Sequence, residues 1–400
     1  MSNRGPLRVL VAPDSFKGSL SSVEVASALA EGWRRARPED EVTSAPLADG
    51  GEGTLAAIHA SGGWEWQDCE AVDPLGRPIA ARWLRSQDGR RAAVELAEAV
   101  GLSRLPRDEP RSPLTAATDG CGQILKAALD SGVRHVVMGL GGSATTDGGA
   151  GLLRSLGVEF TANAESPLPG PIPDVVGVDL AGLDPRLAEV DLRVACDVTN
   201  PLLGEQGAAA IYAPQKGAWP EDVTILETWL SRYADLLETA CGVQVRSAAG
   251  AGAAGGTGFA LMCLAPHLHS FKLIPGVELV MQETGFYDRL TSADLVITGE
   301  GQVDAQTAFG KTAYGVARRA AAGGIPCVAI GGGVTGEGAA ILCREGALAV
   351  PVLERPMPLA DAMAQAYPLV ADAGERLART LALGAAVTVR RARRVGTNQQ

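Results

Sequence analysis

The segment best suited to chemistry is a glycine-rich stretch over residues 139–151. It follows an apolar run at residues 135–138 that predicts a buried strand, and it precedes residues 152–156, which predict a helix. Glycines let a backbone approach a ligand closely, and the N–H groups at a helix start attract anions. The stretch therefore predicts a site for a phosphate group. The candidate contacts in it are Gly141, Gly142, Ser143, Thr145 and Asp147.

Two other interpretations of this stretch are weaker. It is not a Walker A loop, because no Gly-Lys-Ser or Gly-Lys-Thr ends it. A tight turn whose hydroxyls cap the helix remains an alternative, but three hydroxyls and five glycines within residues 141–151 exceed what a cap needs. We therefore expect an enzyme that handles a phosphorylated cofactor.

Carboxylates lie on two other glycine-flanked bends, each of which follows a predicted strand. Asp49 and Glu52 are on the first bend, and Glu300 and Asp304 are on the second. Oxygen ligands of this kind suit Mg²⁺, so all four are candidate metal ligands. Lys311 follows just before a predicted helix and would neutralise phosphoryl charge. The alternatives are turn residues with acids at helix starts for the first bend, and salt-bridged loop residues for the second.

Single polar residues after two more predicted strands are candidates for substrate contact. Lys17 follows the first strand, where it could grip a carboxylate or a phosphate together with Ser15 and Ser19. Asp197 could accept a hydroxyl proton or hold Mg²⁺, and Asn200 lies close behind it. A solvated loop lysine is the alternative for Lys17.

Residues 250–255 match the GxGxxG dinucleotide fingerprint letter for letter. The match is weak, because no clear strand precedes it and no acid ends a strand about 20 residues further on. A glycine-rich wall of a nucleotide or substrate pocket is the preferred interpretation, and it adds Gly255 and Gly256 to the candidate cofactor contacts. An NAD(P)-linked oxidoreductase is the alternative that this match leaves open.

Length and composition limit the class of protein. Four hundred residues predict two domains, and 46% hydrophobic with 20% charged residues are typical of a globular chain. A net charge of −11 argues against a nucleic-acid partner. No apolar run approaches the roughly 20 residues that span a bilayer. Seven scattered cysteines and the lack of a secretory segment predict a cytoplasmic protein with reduced thiols.

The order of predicted elements indicates an α/β fold in which one domain interrupts the other. Strands and helices alternate at both chain ends, whereas residues 64–96 predict an antiparallel meander. We expect residues 1–65 and 290–400 to build one parallel-sheet domain and residues 66–289 to form an inserted α/β domain. The arginine-rich tail from residue 390 is predicted to be a helix end that frays.

Seven motifs in this order resemble those of the bacterial type I glycerate kinases, over residues 7–385. One departure is Thr146, where many members of that family have Asn. The motifs are Asp14-Ser-Phe-Lys-Gly-Ser, Ala48-Asp-Gly-Gly-Glu-Gly-Thr, Gly139-Leu-Gly-Gly-Ser-Ala-Thr-Thr-Asp-Gly-Gly, Cys196-Asp-Val-Thr-Asn-Pro-Leu, Pro214-Gln-Lys-Gly-Ala, Gly250-Ala-Gly-Ala-Ala-Gly-Gly and Thr298-Gly-Glu-Gly-Gln-Val-Asp-Ala-Gln-Thr.

The resemblance implies phosphorylation of D-glycerate by ATP with the help of Mg²⁺, and 2-phosphoglycerate as the product. It also implies a flavodoxin-like domain built from both chain ends, an inserted α/β domain and an active site in the cleft between them. In that setting Lys17 and Ser19 would hold the glycerate carboxylate, and Asp197 would accept the hydroxyl proton. The stretch at residues 139–151 would bind the ATP phosphates.

Three alternatives stay open on the residues alone. The chain could phosphorylate another small hydroxy acid, it could be an NAD(P)-linked oxidoreductase, or it could be a non-catalytic sensor of a small organic acid. No feature of the sequence specifies an oligomeric state.

Overall fold

The computed structural model describes residues 5–106, 109, 111–162, 175–308 and 311–397, which form a mixed α/β structure. The strands, in chain order, are β1 Arg8–Val11, β2 Glu41–Ser44, β3 Trp64–Val72, β4 Pro78–Ser86, β5 Arg91–Glu95, β6 His135–Gly139, β7 Glu159–Ala162, β8 Val175–Asp179, β9 Asp191–Ala195, β10 Ser270–Ile274, β11 Leu295–Val303, β12 Cys327–Val334 and β13 Ala347–Pro351.

The helices differ widely in length, from one turn to more than eight. In chain order they are α1 Ser22–Ala36, α2 Thr54–Ala60, α3 Ala97–Val100, α4 Asp119–Asp130, α5 Ala150–Ser155, α6 Ala208–Tyr212, α7 Pro220–Cys241, α8 Ala253–Leu264, α9 Gly276–Glu283, α10 Phe286–Thr291, α11 Thr312–Ala322, α12 Gly336–Arg344, α13 Leu359–Ala364 and α14 Ala366–Thr397.

The chain divides into two compact units. The first comprises the described residues of Met1–Ala48, Ala56–Gly62 and Val280–Gln400, and the second those of Asp49–Leu55 and Gly63–Leu279. The short Asp49–Leu55 segment thus belongs to the second unit, although the residues on either side of it belong to the first.

The first unit contains a five-stranded parallel sheet with the order β13-β12-β11-β1-β2. Read from β2, this is the 2-1-3-4-5 order of flavodoxin-like folds, so the predicted fold class is confirmed. β11 runs five residues beyond the predicted end at Thr298, because Gly299–Val303 keep pairing with β12. Glu300, expected on a loop, therefore lies within a strand.

Helices α1 and α14 pack against each other in the first unit, and two glycines allow their close approach. Gly32 of α1 lies against the carbonyl of Ala371, and Gly374 of α14 lies against Leu29. The start of α1 has a capping box, which Ser21 and Glu24 form. Helix α14 continues through the arginine-rich segment to Thr397, whereas the sequence predicted a frayed end; residues 398–400 lie outside the described residues.

The second unit contains a six-stranded mixed sheet with the order β10-β9-β6-β5-β4-β3. β3, β4 and β5 pair antiparallel, as predicted for the meander, and β5, β6, β9 and β10 pair parallel. β10 was not predicted, since the alternation of Ser270 and Lys272 with Phe271 and Leu273 lasts for only one short run of five residues. A separate antiparallel pair joins β7 and β8.

Each unit has its own buried apolar cluster. Val9, Trp33, Ile297 and Ile330 are among the buried residues of the first, while the second includes Trp83, Met138, Tyr233 and Phe259. In the part of the chain that the structure describes, the helices are too short or too polar to cross a membrane.

Candidate active site

The second unit gathers several predicted site residues at one edge of its sheet. The parallel strands β5, β6, β9 and β10 end side by side, since Glu95 pairs with Gly139, Gly139 with Ala195, and Ala195 with Ile274. The loops that follow these strands therefore leave from the same edge, where parallel α/β sheets bind ligands. The glycine-rich stretch and Asp197 are on two of these loops.

The Asp49–Gly53 bend lies against the glycine-rich stretch. The N–H of Gly141 donates to the carbonyl of Gly50 at 3.1 Å. A side chain on Gly139 or Gly141 would collide with the backbone of residues 50–51. Glycine at these two positions is required by this close backbone approach. Asp49 is thereby brought to the edge that carries Asp197, and Glu52 is exposed beside it.

Asp197 is a carboxylate whose proton affinity is raised by its surroundings. The N–H of Gly276 donates to its Oδ1 at 2.8 Å, and Gly276 itself lies against both Asp197 and the carbonyl of Asp49. The residue keeps exposed surface, but its carboxyl group is enclosed closely enough to lose solvation, which raises its pKa to about 6. The bond from Gly276 opposes this shift, and the charge of Asp49 adds to it.

The glycine-rich stretch exposes only its first bend. Gly142 is exposed and Gly141 is half-buried, whereas Ser143 to Ala150 are buried. The helix that follows, α5, has only six residues, and its first N–H groups are already bonded: those of Gly149 and Gly151 to Asp147, and that of Leu152 to the Thr118 hydroxyl. The expectation that free N–H groups at this helix start receive an anion is therefore wrong, and the accessible part of the stretch is Gly141 and Gly142, in the bend that ends at Ser143 (the Gly141–Ser143 bend).

Asp147 is placed to support the loop. Its side chain is fully buried and accepts four hydrogen bonds: from the Thr118 N–H at 2.8 Å, the Thr118 hydroxyl at 2.7 Å, Gly151 at 3.0 Å and Gly149 at 3.2 Å. Burial raises the pKa of Asp147, and these donors oppose the shift. Both carboxylate oxygens are thus committed inside the protein, where the sequence had suggested a cofactor contact.

Gly255 and Gly256 also pack inside the second unit. Both have positive φ angles, of 67° and 95°, and both lie against the backbone of residues 145–148. The N–H of Gly148 donates to the Gly255 carbonyl at 3.0 Å. The element that precedes this glycine run is helix α7. Without a preceding strand the run is not a dinucleotide-binding fingerprint, so the oxidoreductase alternative loses its only support.

Asn200 is engaged within its own loop. Its Nδ2 donates to the Gln206 carbonyl at 2.8 Å, and its Oδ1 accepts from the Tyr212 hydroxyl at 2.7 Å. These two bonds shape the turn that follows Asp197. The predicted substrate contact would have to replace them.

Lys216 is a charged residue of this edge that the sequence predictions did not single out. It is 3% exposed, and its Nζ donates to the Thr145 carbonyl and to Ser143 Oγ, the latter at 3.4 Å. Burial lowers its pKa to about 7, against the attraction of Asp147. Its only sequence signal was membership of the Pro214–Ala218 motif.

Glu95 is a second buried ionisable residue that the sequence predictions missed. It is 4% exposed and accepts from the N–H groups of Gly53 at 3.2 Å and Leu55 at 3.1 Å. Burial raises its pKa to about 8, and the negative charges of Glu98 and Glu52 add to the effect of burial. The available signal was a carboxylate at the end of an otherwise apolar strand. Its role is to hold the bend that carries Asp49 and Glu52.

The raised pKa of Glu95 predicts a pH-dependent stability difference for Glu95→Gln. Between pH 4.5 and about 8 the folded protein keeps a proton on Glu95 that the unfolded chain releases, so the stability that Glu95 contributes falls as the pH rises through this window. Glutamine does not titrate. We expect the variant to gain on the order of 1–3 kcal/mol relative to wild type between pH 5 and pH 8, measured by urea unfolding.

Glu70→Gln on the exposed face of β3 is the matched control. It should keep a constant offset from wild type across the same pH range. Parallel pH profiles for Glu95→Gln and wild type would contradict the assigned burial of a protonated Glu95.

In the first unit, Lys17 is at the tip of a tight turn after β1. Phe16 and Leu20 bridge across the turn, and Gly18 adopts a φ of 81° within it. Lys17 is exposed. The Ser19 hydroxyl donates to the Phe16 carbonyl at 2.9 Å and so stabilises the turn, while the Ser15 N–H donates to Asp14 at 2.6 Å.

The first unit has an acidic group of its own, which centres on Glu300. This residue is 5% exposed and accepts from the Thr307 hydroxyl at 2.6 Å. Lys311 Nζ lies 3.6 Å from Asp304 Oδ1 and 3.9 Å from Glu300 Oε2. Burial raises the pKa of Glu300 to about 7, with Thr307 and Lys311 opposing the shift. The structure thus brings together Glu300, Asp304 and Lys311 as predicted.

Asp14 joins this acidic group and was not among the predicted site residues. It is buried after β1 and accepts from the Thr312 hydroxyl at 2.6 Å. Its negative charge contributes to the raised pKa of Glu300. Asp14 belongs to the Asp14–Ser19 motif, from which the sequence predicted only Ser15, Lys17 and Ser19 as site residues.

The predicted metal ligands occur as small acidic groups. Within the described ranges, no three His, Cys, Asp or Glu side chains are grouped closely enough to hold a metal ion. Mg²⁺ needs no such cage, since it commonly takes one or two carboxylates together with waters and substrate phosphates. The oxygen donors of Asp49 and Asp197 in the second unit, and of Glu300 and Asp304 in the first, fit that requirement.

The fold and these groups together define a two-unit α/β enzyme with polar residues at the carboxyl ends of parallel strands. A model of the Glycerate kinase family matches residues 9–382, and the chain belongs to that family. The family predicted from the seven motifs is thereby confirmed.

Individual relatives are similar over nearly their whole length. The chain is 41% identical over 374 residues to a glycerate kinase of Halalkalibacterium halodurans. The aligned residues cover 92% of this chain and 97% of that protein. It is 39% identical over 382 residues to a glycerate 2-kinase of Escherichia coli K12, with coverages of 94% and 99%. The crystal structure of a protein assigned as glycerate kinase 2 from Salmonella typhimurium LT2 superimposes with a TM-score of 0.81 at 39% identity, covering 95% of this chain and 99% of that one.

Proposed function

We propose that this protein phosphorylates the 2-hydroxyl of D-glycerate with ATP and releases 2-phosphoglycerate. The observation that carries the proposal is the 39% identity to a glycerate 2-kinase across 94% of this chain. The acidic and glycine-rich groups at the strand ends supply the chemistry that such a reaction needs. We also propose a cytoplasmic location, on the cysteine pattern and the apolar profile of the sequence.

Asp197 is the proposed general base. Phosphoryl transfer asks the protein mainly for positioning and charge neutralisation, together with a group that accepts the proton of the attacking hydroxyl. A carboxyl with a pKa of about 6 is largely ionised at neutral pH and is still basic enough to take up a proton. The bond from Gly276 fixes one of its oxygens and leaves the other available.

Lys17 and Ser19, with Ser15 beside them, are the proposed contacts of the glycerate carboxylate. The exposed Lys17 ammonium on a rigid turn can pair with a carboxylate without a large loss of freedom in the backbone. Lys311, held near Glu300 and Asp304, is the proposed cation that neutralises charge on the transferred group.

The nucleotide phosphates would contact a glycine-rich bend, and the metal ion would bind carboxylate oxygens. ATP, when bound, supplies the phosphoryl group. The Gly141–Ser143 bend is the proposed phosphate contact, because the exposed Gly142 has no side chain that would keep a phosphate away from the backbone. Asp49, Glu52, Glu300 and Asp304 are retained as the candidate Mg²⁺ ligands.

A coupled assay of ADP release against several small hydroxy acids tests the proposal. We expect turnover with D-glycerate that requires both ATP and Mg²⁺, and ³¹P and ¹H NMR of the product should show the phosphate on the 2-hydroxyl. Faster turnover with another hydroxy acid would reassign the substrate. ATP binding without turnover of any hydroxy acid would instead support a sensor.

Lys17→Ala is expected to raise the KM for glycerate by about ten- to hundredfold, because a hydrogen bond to a charged group is lost. The KM for ATP should change much less. Steady-state kinetics with each substrate varied in turn measures both constants.

Lys126→Ala, which removes an exposed lysine of α4, is the control and should leave both constants near wild type. An unchanged glycerate KM in Lys17→Ala would remove Lys17 from the carboxylate site.

A further inference from the structure

Lys216 is a buried lysine of the second unit that the proposed mechanism does not use. Its ammonium group is buried within hydrogen-bond distance of Ser143, the residue that follows the accessible Gly142. The two groups that accept its hydrogen bonds, Ser143 Oγ and the Thr145 carbonyl, belong to that stretch. Lys216 reaches them from a separate segment, the turn Pro214–Lys216.

The burial of the Lys216 ammonium lowers the stability of the fold, because its surroundings compensate its charge only in part. The described residues offer the ammonium one carbonyl and one hydroxyl as hydrogen-bond acceptors, and both are uncharged. The nearby charge of Asp147 is already shared among four donors of its own. A buried cation with such incomplete compensation lowers stability, so its presence points to a role other than folding.

The bend that Ser143 ends is accessible. Gly142 is exposed and Gly141 is half-buried, while Ser143 between this bend and the ammonium is buried. An anion at Gly142 would therefore lie next to Ser143, whose hydroxyl accepts a hydrogen bond from the Lys216 ammonium. A second observation comes from Thr146 in the same stretch. Its buried hydroxyl has no hydrogen-bond partner among the described residues, which is consistent with a site that a ligand completes.

We propose that Lys216 is a positioning residue for nucleotide phosphate: it fixes Ser143 and Thr145 and supplies the positive charge behind the Gly141–Ser143 bend. This inference rests on the proposed function, since it takes the bend as the site of the ATP phosphates. It assigns Lys216 to phosphate affinity and gives it no contact with the reacting hydroxyl.

The test is ADP binding, measured by isothermal titration calorimetry, for wild type and Lys216→Met. Methionine keeps the length and the apolar stem of the side chain but removes the charge and both hydrogen bonds. We expect the Kd for ADP to rise by about ten- to hundredfold. The KM for ATP should rise in parallel, with a smaller change in the KM for glycerate, and the melting temperature without ligand should not fall.

Lys126→Met is the matched control, because it makes the same replacement at an exposed lysine of the same unit. It should bind ADP like wild type. A Kd for ADP in Lys216→Met within about twofold of wild type would overturn the proposal. A lower melting temperature together with unchanged ADP affinity would assign Lys216 to folding alone.

Lys216→Gln keeps the test decisive if the methionine variant does not fold. Glutamine retains a donor for the Thr145 carbonyl but carries no charge, so weakened ADP binding supports the proposal and wild-type binding overturns it. Combining Lys216→Met with Ser143→Ala adds a double-mutant cycle. Non-additive losses of ADP affinity are expected if the two residues act as one unit, and additive losses would contradict that coupling.

The proposed function and this inference can fail separately. If wild type binds ADP through Lys216 but turns over no glycerate, the substrate assignment fails and the role of Lys216 stands. If wild type turns over glycerate and Lys216→Met binds ADP normally, the inference fails and the function stands. A wild-type protein that binds no ADP would overturn both.

Discussion

Asp197→Asn is expected to lower kcat for glycerate phosphorylation by about 10² or more, because the amide cannot accept the hydroxyl proton. Asparagine keeps the shape of the side chain and can still accept the hydrogen bond from Gly276, so the fold of the loop should persist. The KM values should change much less than kcat. Steady-state kinetics at saturating glycerate and ATP measures the effect.

The same residue should set the acidic limb of the pH profile. Below a pH of about 6 Asp197 is protonated and cannot act as a base, so kcat/KM should rise as the pH rises through that value. The limb should be lost from the residual activity of Asp197→Asn.

Asp68→Asn on β3 is the matched control, since it makes the same change at an exposed aspartate of the second unit. Its kcat should equal that of wild type. A near-normal kcat in Asp197→Asn, with the protein folded, would remove Asp197 from the role of base and leave it as a candidate Mg²⁺ ligand.

Asp147→Ala is expected to reduce the free energy of unfolding by roughly 3–5 kcal/mol, because it leaves several buried donors without an acceptor. Those donors are the N–H and hydroxyl of Thr118 and the N–H groups of Gly149 and Gly151. Urea denaturation followed by tryptophan fluorescence measures the loss, and ADP affinity should fall together with it as the loop loosens.

Asp147→Asn separates shape from charge at this position. Its amide keeps one acceptor but turns a donor toward the donors of Thr118 or Gly149, so its loss should be large as well. Asp68→Ala, an exposed replacement, should stay within about 0.5 kcal/mol of wild type. An Asp147→Ala protein as stable as wild type but with weakened ADP binding would return Asp147 to the cofactor contacts predicted from the sequence.

Much of the fold followed from local patterns. Alternating apolar strands and helices at the chain ends predicted the parallel sheet, and period-two alternation over residues 64–96 predicted the meander. Both patterns depend only on residues within one strand or helix, so both can be recognised in a single sequence. β10 and the extension of β11 through Gly299–Val303 were missed, because glycines and short mixed runs form strands here only through their neighbours in the sheet.

The candidate site divides in the same way. The sequence by itself determined the family and the loops that carry Lys17, Asp197 and the glycine-rich bend, since glycine and polar residues after apolar runs mark strand ends. Only the tertiary structure decided which polar groups remain available, because hydrogen bonds between distant segments do not appear in local patterns.

Two pairs of distant residues illustrate this difference. Asp147 accepts a hydrogen bond from the N–H of Thr118, 29 positions away in the chain, and therefore stabilises the loop. Lys216 reaches Thr145 across 71 positions and becomes a buried charge behind the phosphate bend. In both cases the sequence specified the residue type, and the packing of distant segments decided whether that residue supports the loop or can serve the chemistry.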